Sequence, residues 1–193
     1  IRQVPYDPFA QVHTCWDLGM DDEMSIWFFQ EIFNEIRWID YYSSSGEGLG
    51  HYIAYLKSLP YMGNYGKHWA PHDIKVRELG TGKSRWETAM RMGIRFEICP
   101  KLEIMDGIEA GRQIIPISFF DEEKCAEGIR ALNEYTKEFD EKKGVYKPRP
   151  LHNWASHAAD AFRTGAVAFR NKALQTLPSS RNAHAITDYD ILD

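Results

Sequence analysis

Cysteines and long apolar runs are scarce in this chain of 193 residues. The three cysteines, Cys15, Cys99 and Cys125, are odd in number and far apart, so they indicate neither a disulfide framework nor a zinc motif. A reducing, intracellular setting is therefore the expectation. No apolar stretch approaches the ~20 residues that cross a bilayer, and no signal peptide opens the chain, so we expect no membrane contact.

A complete phosphate-binding loop is missing as well. The run from Arg77 to Ser84 ends in Gly-Lys-Ser, but Arg77 occupies the place of the glycine with which that motif begins. Nucleotide hydrolysis is therefore not expected. A basic loop that touches a nucleic-acid backbone through Lys83 and Arg85 is the better interpretation. The sequence also lacks the Gly-x-Ser-x-Gly elbow of serine hydrolases.

Aromatic residues are abundant by contrast, with 6 Trp, 10 Tyr and 10 Phe, which is typical of a chain that builds a hydrophobic core. A chain of this length is expected to form one domain. We place that domain at residues 1–172 and predict a mobile C-terminal tail at residues 173–193. Because the chain begins with Ile1 instead of Met, and a linker-like stretch with Pro5 and Pro8 follows, we expect it to be a piece of a longer protein.

The charge of the chain is unevenly distributed. A formal net charge of −5 argues by itself against a nucleic-acid-binding protein. Residues 67–101, however, carry eight Lys and Arg against four Asp and Glu. Such a basic segment can contact phosphate locally even in an acidic protein, although an ordinary solvated surface would show the same pattern.

Strand patterns precede helix patterns along the chain. β-Branched and aromatic residues predict strands at 12–18, 24–30 and 36–42, connected as an antiparallel meander. Helices and strands then alternate. Strands are predicted at 67–71 and 94–98, and helices beginning near 49, 84, 103, 121 and 156, of which the fourth extends to Phe139. The predicted fold class is α/β, with a mixed central sheet whose first three strands are antiparallel and which helices flank.

Three aspartates occupy unusual positions in these elements. Asp17 lies in the most apolar strand, where a carboxylate is costly unless it is paired or metal-bound. Asp73 directly follows a strand, and Asp160 is expected in the first turn of a helix rich in small residues. Each also has a purely structural interpretation. These are a turn residue at a strand end for Asp17, an Asx-turn for Asp73, and a partner of the helix dipole for Asp160.

Together the three acids would suit a two-metal site. Carboxylates at two strand ends and on a helix packed against the sheet can converge on one cavity. Mg²⁺ prefers oxygen ligands and usually takes one or two protein carboxylates, which leaves positions for water and phosphate. Two such ions ~3.5–4 Å apart stabilise both the attacking and the leaving oxygen of phosphodiester hydrolysis. The histidines could instead suggest zinc, but the spacing of His68, His72, His152 and His157 matches no tight zinc motif.

Five short motifs follow one another along the chain. They are Trp16-Asp17-Leu18-Gly19 with Asp21-Asp22 after it, Ile39-Asp40-Tyr41-Tyr42, Pro71-His72-Asp73, Glu78-Leu79-Gly80-Thr81-Gly82-Lys83-Ser84-Arg85, and Ser156-His157-Ala158-Ala159-Asp160-Ala161-Phe162-Arg163. In this order and spacing, from about Val4 to Phe169, the chain resembles the C-terminal nuclease domain of tailed-bacteriophage terminase large subunits. These domains belong to the RNase H-like superfamily.

The resemblance implies a metal-dependent endonuclease that cuts concatemeric viral DNA when packaging starts and ends. It implies that Asp17, Asp73 and Asp160 match the family's catalytic acids and bind two Mg²⁺ or Mn²⁺ ions. Asp22 matches an additional acid of some relatives. Lys83 and Arg85 remain the candidate DNA contacts.

The resemblance also implies partners and a location. The family protein carries an N-terminal ATPase domain, which this sequence lacks, and acts on double-stranded viral DNA with the portal and the small terminase subunit. Its place is the host cell cytoplasm, at the portal of the procapsid, and the acidic end of the chain is where such a protein could engage the portal.

Two other interpretations remain open from the sequence. The chain could be another RNase H-like nuclease, such as a junction resolvase or an integrase. It could also be a non-catalytic docking module that keeps the fold and the acids only for structure.

Overall fold

The computed structural model describes residues 1–19, 23–77 and 82–176. Within these ranges eight strands alternate with five α-helices and two short 3-10 helices. The strands are β1 (Val12–Asp17), β2 (Met24–Ile32), β3 (Glu35–Ser44), β4 (Tyr65–Ala70), β5 (Phe96–Ile98), β6 (Ser118–Phe120), β7 (Lys137–Asp140) and β8 (Val145–Pro150). The α-helices are α1 (Leu49–Ser58), α2 (Arg85–Arg91), α3 (Ile104–Ile114), α4 (Ala126–Glu134) and α5 (Ala155–Thr176). The 3-10 helices span His72–Lys75 and Ile115–Ile117.

Six of these strands form one mixed sheet in the order β5-β4-β1-β2-β3-β6. The first three strands are antiparallel neighbours, as their aromatic and β-branched residues and the short connections between them predict. Strand β4 lies parallel to β1, β5 lies parallel to β4, and β6 lies parallel to β3. The predicted α/β class with an antiparallel first half is therefore confirmed.

Each face of the sheet is covered by its own hydrophobic core. On one face α3, α4 and α5 pack on a cluster that includes the buried rings of Trp27 and Trp38. On the other face α1 and α2 pack on a cluster that includes Trp16 and Phe28. A strand sends successive side chains to opposite faces, so the unbroken apolar run of β2 serves both cores at once.

The segment after α4 differs from the prediction of one helix reaching Phe139. Helix α4 ends at Glu134, and residues 137–150 form the β7–β8 hairpin. The carboxylate of Asp140 accepts hydrogen bonds from two backbone amides of the turn, and Gly144 takes a φ of 65°, a conformation that favours glycine. The helical spacing up to Phe139 was misleading, because residues 137–140 pair with β8 instead. Strand β8 contains Pro148 and Pro150, which exclude a helix at this partner segment.

Strand β6 is a second element that the sequence pattern did not indicate. It has three residues, too few for periodicity, and it exists through its parallel pairing with residues 36–38 of β3. Helix α5 runs as far as Thr176, so the rest of the predicted tail, residues 177–193, lies outside the described residues. In the described parts of the chain, no helix combines the length and apolarity needed to span a membrane.

His68 is a buried side chain of β4 that the fold holds in its neutral form. Its Nδ1 shares a hydrogen bond of 2.7 Å with the hydroxyl of Thr14, which also accepts one from the Trp16 indole. Burial lowers the pKa of His68 to about 4, and the nearby His13 adds to this lowering. As the pH falls, His68 of the unfolded chain therefore binds a proton at a higher pH than His68 of the folded chain.

We expect this histidine to weaken the fold in acid. Because its folded pKa lies below the unfolded value, stability is complete above ~pH 6.5 and falls as the pH drops towards 4. Linkage gives a loss of about 2 kcal/mol in the free energy of unfolding between about pH 7.5 and 5. Urea denaturation at both pH values measures it. His68→Asn should abolish this loss, while the same change at the exposed His51 should keep it; equal acid sensitivity in both variants would contradict the assignment.

Candidate active site

Two of the three aspartates lie at the carboxyl-terminal ends of two neighbouring strands of the sheet. Asp17 is the last residue of β1, and Asp73 follows β4 in the 3-10 helix that begins after Pro71. Strands β1 and β4 are parallel, with Cys15 paired to Trp69, so their carboxyl ends meet at the same edge. Open α/β sheets bind ligands at this edge, because loops and helix termini leave a crevice there.

Helix α5 carries the third aspartate across the face of the sheet. Its small residues allow a close approach: Gly165 packs against Cys15 of β1, and the backbone carbonyl of Ala158 accepts a hydrogen bond of 2.9 Å from the Trp27 indole. The helix begins at Ala155, which places Asp160 in its second turn instead of the predicted first turn. The helix dipole acts within the first turn, so it does not explain this carboxylate.

The three aspartates line one pocket of about 190 Å³. Asp17 and Asp160 come from β1 and α5, and Asp73 closes the pocket from the end of β4. The other polar and ionisable lining side chains are those of His72, Cys99, Glu103, Arg163 and Thr164. Three acids that are far apart in sequence thus line the same small pocket.

Asp17 is held by a histidine of α5. Its Oδ2 lies 3.0 Å from Nδ1 of His157, and both side chains are mostly buried. The ring of His152 stands edge-on to that of His157, with centroids 5.8 Å apart. This contact orients the carboxylate of Asp17 and ties the end of β1 to α5.

Asp160 pairs with an arginine one turn further along α5. Its Oδ1 lies 3.2 Å from Nη2 of Arg163, whose Nη1 is buried and has no hydrogen-bond partner. Burial raises the pKa of Asp160 to about 6, Arg163 opposes the rise, and the charge of Asp17 adds to it. Two carboxylates therefore repel each other here, and a further cation would relieve the repulsion.

The donor set fits a hard divalent ion. Among the described residues, no three His, Cys, Asp or Glu side chains lie close enough together to form a ready metal site. Mg²⁺ and Mn²⁺ favour carboxylate and water oxygens, and Mg²⁺ commonly takes only one or two protein carboxylates. Three aspartates around one pocket supply ligands of this kind, whereas no three His or Cys side chains of the described residues assemble a zinc site.

The other predicted site residues have mixed outcomes. Asp22 lies outside the described residues. Lys83 is exposed just before Ser84, which caps α2 in a complete capping box. The guanidinium of Arg85 donates to the backbone carbonyls of Leu18 and Gly19 at 2.7 and 2.8 Å, which fastens α2 to the segment after β1. DNA contacts of Lys83 and Arg85 stay predictions.

The sequence interpretation assigned no role to His157, Arg163 or Glu103, all of which lie at or beside the aspartates. His157, Asp160 and Arg163 are spaced three residues apart on one helix, so they share a face. That spacing was a usable signal for the contact between Asp160 and Arg163, but not for the contact between Asp17 and His157. Glu103 had none, because it is brought to the pocket only by the path of the chain after β5.

No protein-family model and no curated protein sequence matches the chain. Solved structures do match it. The nuclease domain of the phage P22 large terminase aligns with a TM-score of 0.63 at 16% identity, over 88% of this chain and 88% of that one. The g2p (large terminase) nuclease domain of bacteriophage SPP1, solved with bound Mn, aligns with a TM-score of 0.60 at 18% identity, over 85% of this chain and 88% of that one.

A longer protein shares the same fold over part of its length. This protein, the large terminase of a thermophilic bacteriophage, aligns with a TM-score of 0.65 at 14% identity, over 87% of this chain. The aligned region covers 42% of the thermophilic phage protein, so the chain spans less than half of that terminase. At these identities the likeness concerns the fold, and the chain therefore has the RNase H-like fold of the nuclease domains of phage large terminases.

Proposed function

We propose that this chain is a metal-dependent DNA endonuclease domain that cleaves concatemeric viral DNA during genome packaging. The observation that carries the proposal is the meeting of Asp17, Asp73 and Asp160 at one pocket. It occurs in a fold shared with terminase nuclease domains, one of which was solved with bound Mn. The carboxyl-end location of the pocket is also where this class of sheet binds ligands.

The three aspartates share one part in this proposal, and two side chains of α5 support them. Asp17, Asp73 and Asp160 would hold two Mg²⁺ or Mn²⁺ ions, which when bound supply Lewis-acid stabilisation of the attacking and leaving oxygens. His157 keeps the carboxylate of Asp17 in place through its 3.0 Å contact. Arg163 balances the charge of Asp160 and places a cationic group in the lining, where phosphate oxygens would arrive.

We propose that the domain covers residues 1–172 and acts as part of a larger machine on double-stranded viral DNA. The large terminase of the thermophilic bacteriophage was solved in complex with ADP and with ATP-gamma-S, so a nucleotide-binding protein contains this fold. The partners in the proposal are an ATPase domain, the portal and the small terminase subunit, and the place is the procapsid portal in the host cell cytoplasm. Contacts to the DNA backbone carry no sequence information, so little sequence preference is expected.

Removal of the metal is the direct test. We expect the purified chain to nick and linearise supercoiled plasmid in the presence of Mn²⁺, and to leave it intact in EDTA, because carboxylates alone cannot stabilise the charge of the cleaved phosphodiester. Asp73→Ala should leave the plasmid intact at the same Mn²⁺ concentration. Glu122→Ala, which removes an exposed acid beyond β6 at the far edge of the sheet, should cut like the unmodified chain.

Several outcomes would count against the proposal. Cleavage that survives EDTA would exclude the metal, and cleavage that survives Asp73→Ala would exclude this aspartate. An intact plasmid together with no Mn²⁺ binding by calorimetry would favour a docking module instead of a nuclease.

A further inference from the structure

A second cavity adjoins the pocket of the three aspartates and shares its wall. It has a volume of about 970 Å³, and His72, Cys99 and Pro100 line both cavities. It follows β4 and the edge strand β5 on the face of the sheet that carries α5, where Ala168 forms part of its lining. We call this cavity the basic groove. Because the two cavities share these lining residues, a nucleic-acid strand bound in the aspartate pocket would extend directly into the basic groove.

Three lysines give the basic groove its charge. Lys67 lies on β4, Lys75 lies in the 3-10 helix after β4, and Lys101 follows β5; all three are exposed. They belong to the segment 67–101, in which cations outnumber acids. Glu31 and Glu97 also line the groove, so the cations there exceed the carboxylates by one before the two lining histidines, His13 and His72, are counted.

One tryptophan offers a ring surface to the basic groove. Trp69 packs against the core beneath α5 but is only partly buried, whereas Trp16, Trp27 and Trp38 are fully buried. The Lys67 ammonium lies 5.2 Å from the centroid of the Trp69 ring. Lysines beside an aromatic ring in a groove are the combination by which proteins hold single strands, since bases stack on the ring while phosphates meet the cations.

We propose that the basic groove binds the unpaired DNA strand next to the scissile phosphate, with phosphates at Lys67, Lys75 and Lys101 and one base stacked on Trp69. This inference rests on the nuclease function proposed above and names the segment of substrate that the chain grips. Inside a duplex each base is already stacked between its neighbours, so only an unpaired base can reach a ring in the wall of the groove.

The test measures the binding of a short fluorescein-labelled single-stranded oligonucleotide by fluorescence anisotropy, in EDTA and over a series of salt concentrations. The triple variant Lys67→Ala, Lys75→Ala, Lys101→Ala should bind more weakly, and its slope of log affinity against log salt should be shallower by about 2, at ~0.7 for each lost phosphate contact. Trp69→Ala should bind about 10-fold more weakly with an unchanged slope, because a base stack involves no counterion release. Trp69→Phe keeps a ring and should recover part of the affinity.

A matched control removes three positive charges elsewhere. Lys57 and Arg91 lie on α1 and α2, which pack on the other face of the sheet, and Arg95 precedes β5. Their triple replacement by Ala should keep the salt slope within experimental error. Thermal melting of every variant identifies those that are folded. Since Lys67, Lys75 and Lys101 are exposed, their replacement should disturb the fold less than the replacement of the partly buried Trp69.

The outcomes separate this inference from the proposed function. A chain that cuts plasmid and binds the oligonucleotide, but whose affinity and slope are unchanged in the Lys67, Lys75, Lys101 and Trp69 variants, overturns the basic groove alone. A loss of affinity that the control triple reproduces also overturns it, because net charge would then explain the effect. A chain that neither binds nor cuts DNA overturns both proposals.

Discussion

Asp17→Asn should abolish DNA cleavage and leave the fold as stable as before, or more stable. A carboxylate that holds a metal ion contributes several kcal/mol of transition-state stabilisation, so a loss of about 10³-fold or more is expected in the cleavage rate. The amide that replaces the carboxylate keeps an oxygen that can accept a hydrogen bond from His157. The local structure should therefore survive the change.

The stability follows from the charges around Asp17. Burial is the main cause of the raised pKa of Asp160, and the negative charge of Asp17, which opposes that of Asp160 across the pocket, raises it further. An uncharged residue at position 17 removes that repulsion. Plasmid cleavage in Mn²⁺ and thermal melting in EDTA, on the same preparation, measure the two effects together.

Asp40→Asn is the matched control, because Asp40 is a buried aspartate of β3 that lies outside the aspartate pocket. Its carboxylate accepts hydrogen bonds from the backbone amide of Tyr41 and from the hydroxyl of Tyr61. Asparagine keeps one oxygen for the Tyr41 amide but presents an NH2 group to Tyr61. The Tyr61 hydroxyl must therefore turn from donor to acceptor and its charge-assisted bond is lost, at a cost of about 1–3 kcal/mol. This variant should melt earlier and still cut DNA.

The two variants therefore predict opposite patterns. If Asp17→Asn lowers the melting temperature while cleavage continues, Asp17 is a structural residue and the docking-module interpretation gains. If Asp40→Asn also abolishes cleavage at a temperature where it is folded, the effect of Asp17→Asn cannot be attributed to the pocket.

Gly165→Ala should lower both stability and cleavage, because this glycine sets the distance between α5 and β1. An added Cβ would lie 2.8 Å from Sγ of Cys15 and 3.2 Å from Cη2 of Trp38. Both neighbours are fully buried, so neither can move aside, and overpacking of this kind costs about 1–3 kcal/mol. Helix α5 must then shift, and a displacement of catalytic groups by ~1 Å lowers activity about 100-fold.

Two further variants make this prediction specific. Gly111→Ala, on α3, would place its Cβ 3.5 Å from Phe162, an ordinary contact, and should keep or raise the stability because alanine favours helix. Cys15→Ala removes the sulfur that the new methyl group would meet. The double variant Cys15→Ala, Gly165→Ala should therefore be more stable than the sum of the two single effects predicts.

Urea denaturation of the four variants measures the coupling, and plasmid cleavage at a temperature where all are folded measures the activity. A Gly165→Ala variant as stable as Gly111→Ala would contradict the close packing of α5 on β1. A destabilised Gly165→Ala variant that cuts at the normal rate would show that the position of α5 does not control the site.

Much of the fold could be predicted because its signals are local. The aromatic and β-branched runs of β1, β2 and β3 favour strands whatever surrounds them, and the small residues of α5 indicate a helix that lies close to its neighbours. The polar segment from Tyr135 to Phe139 shows where this fails. Its helical spacing and its strand alternation are equally good locally, and pairing with β8 decides between them.

The candidate site could be predicted in part for the same reason. A carboxylate in an apolar strand is costly, and this cost draws attention to Asp17 as it does to the buried Asp40 of β3. The sequence could not show that Asp17 meets His157, which is 140 positions away.

The sequence by itself determined the antiparallel strands β1 to β3, the helix rich in small residues and the choice of three candidate aspartates, since these follow from side-chain chemistry and from spacing along the chain. Only the tertiary structure decided the pocket, the partner of Asp17 and the basic groove around Trp69. The physical reason is that these features join elements distant in sequence. Their contacts depend on strand order, on the parallel pairing of β1 with β4 and on the packing of α5 at Gly165, which no local preference encodes.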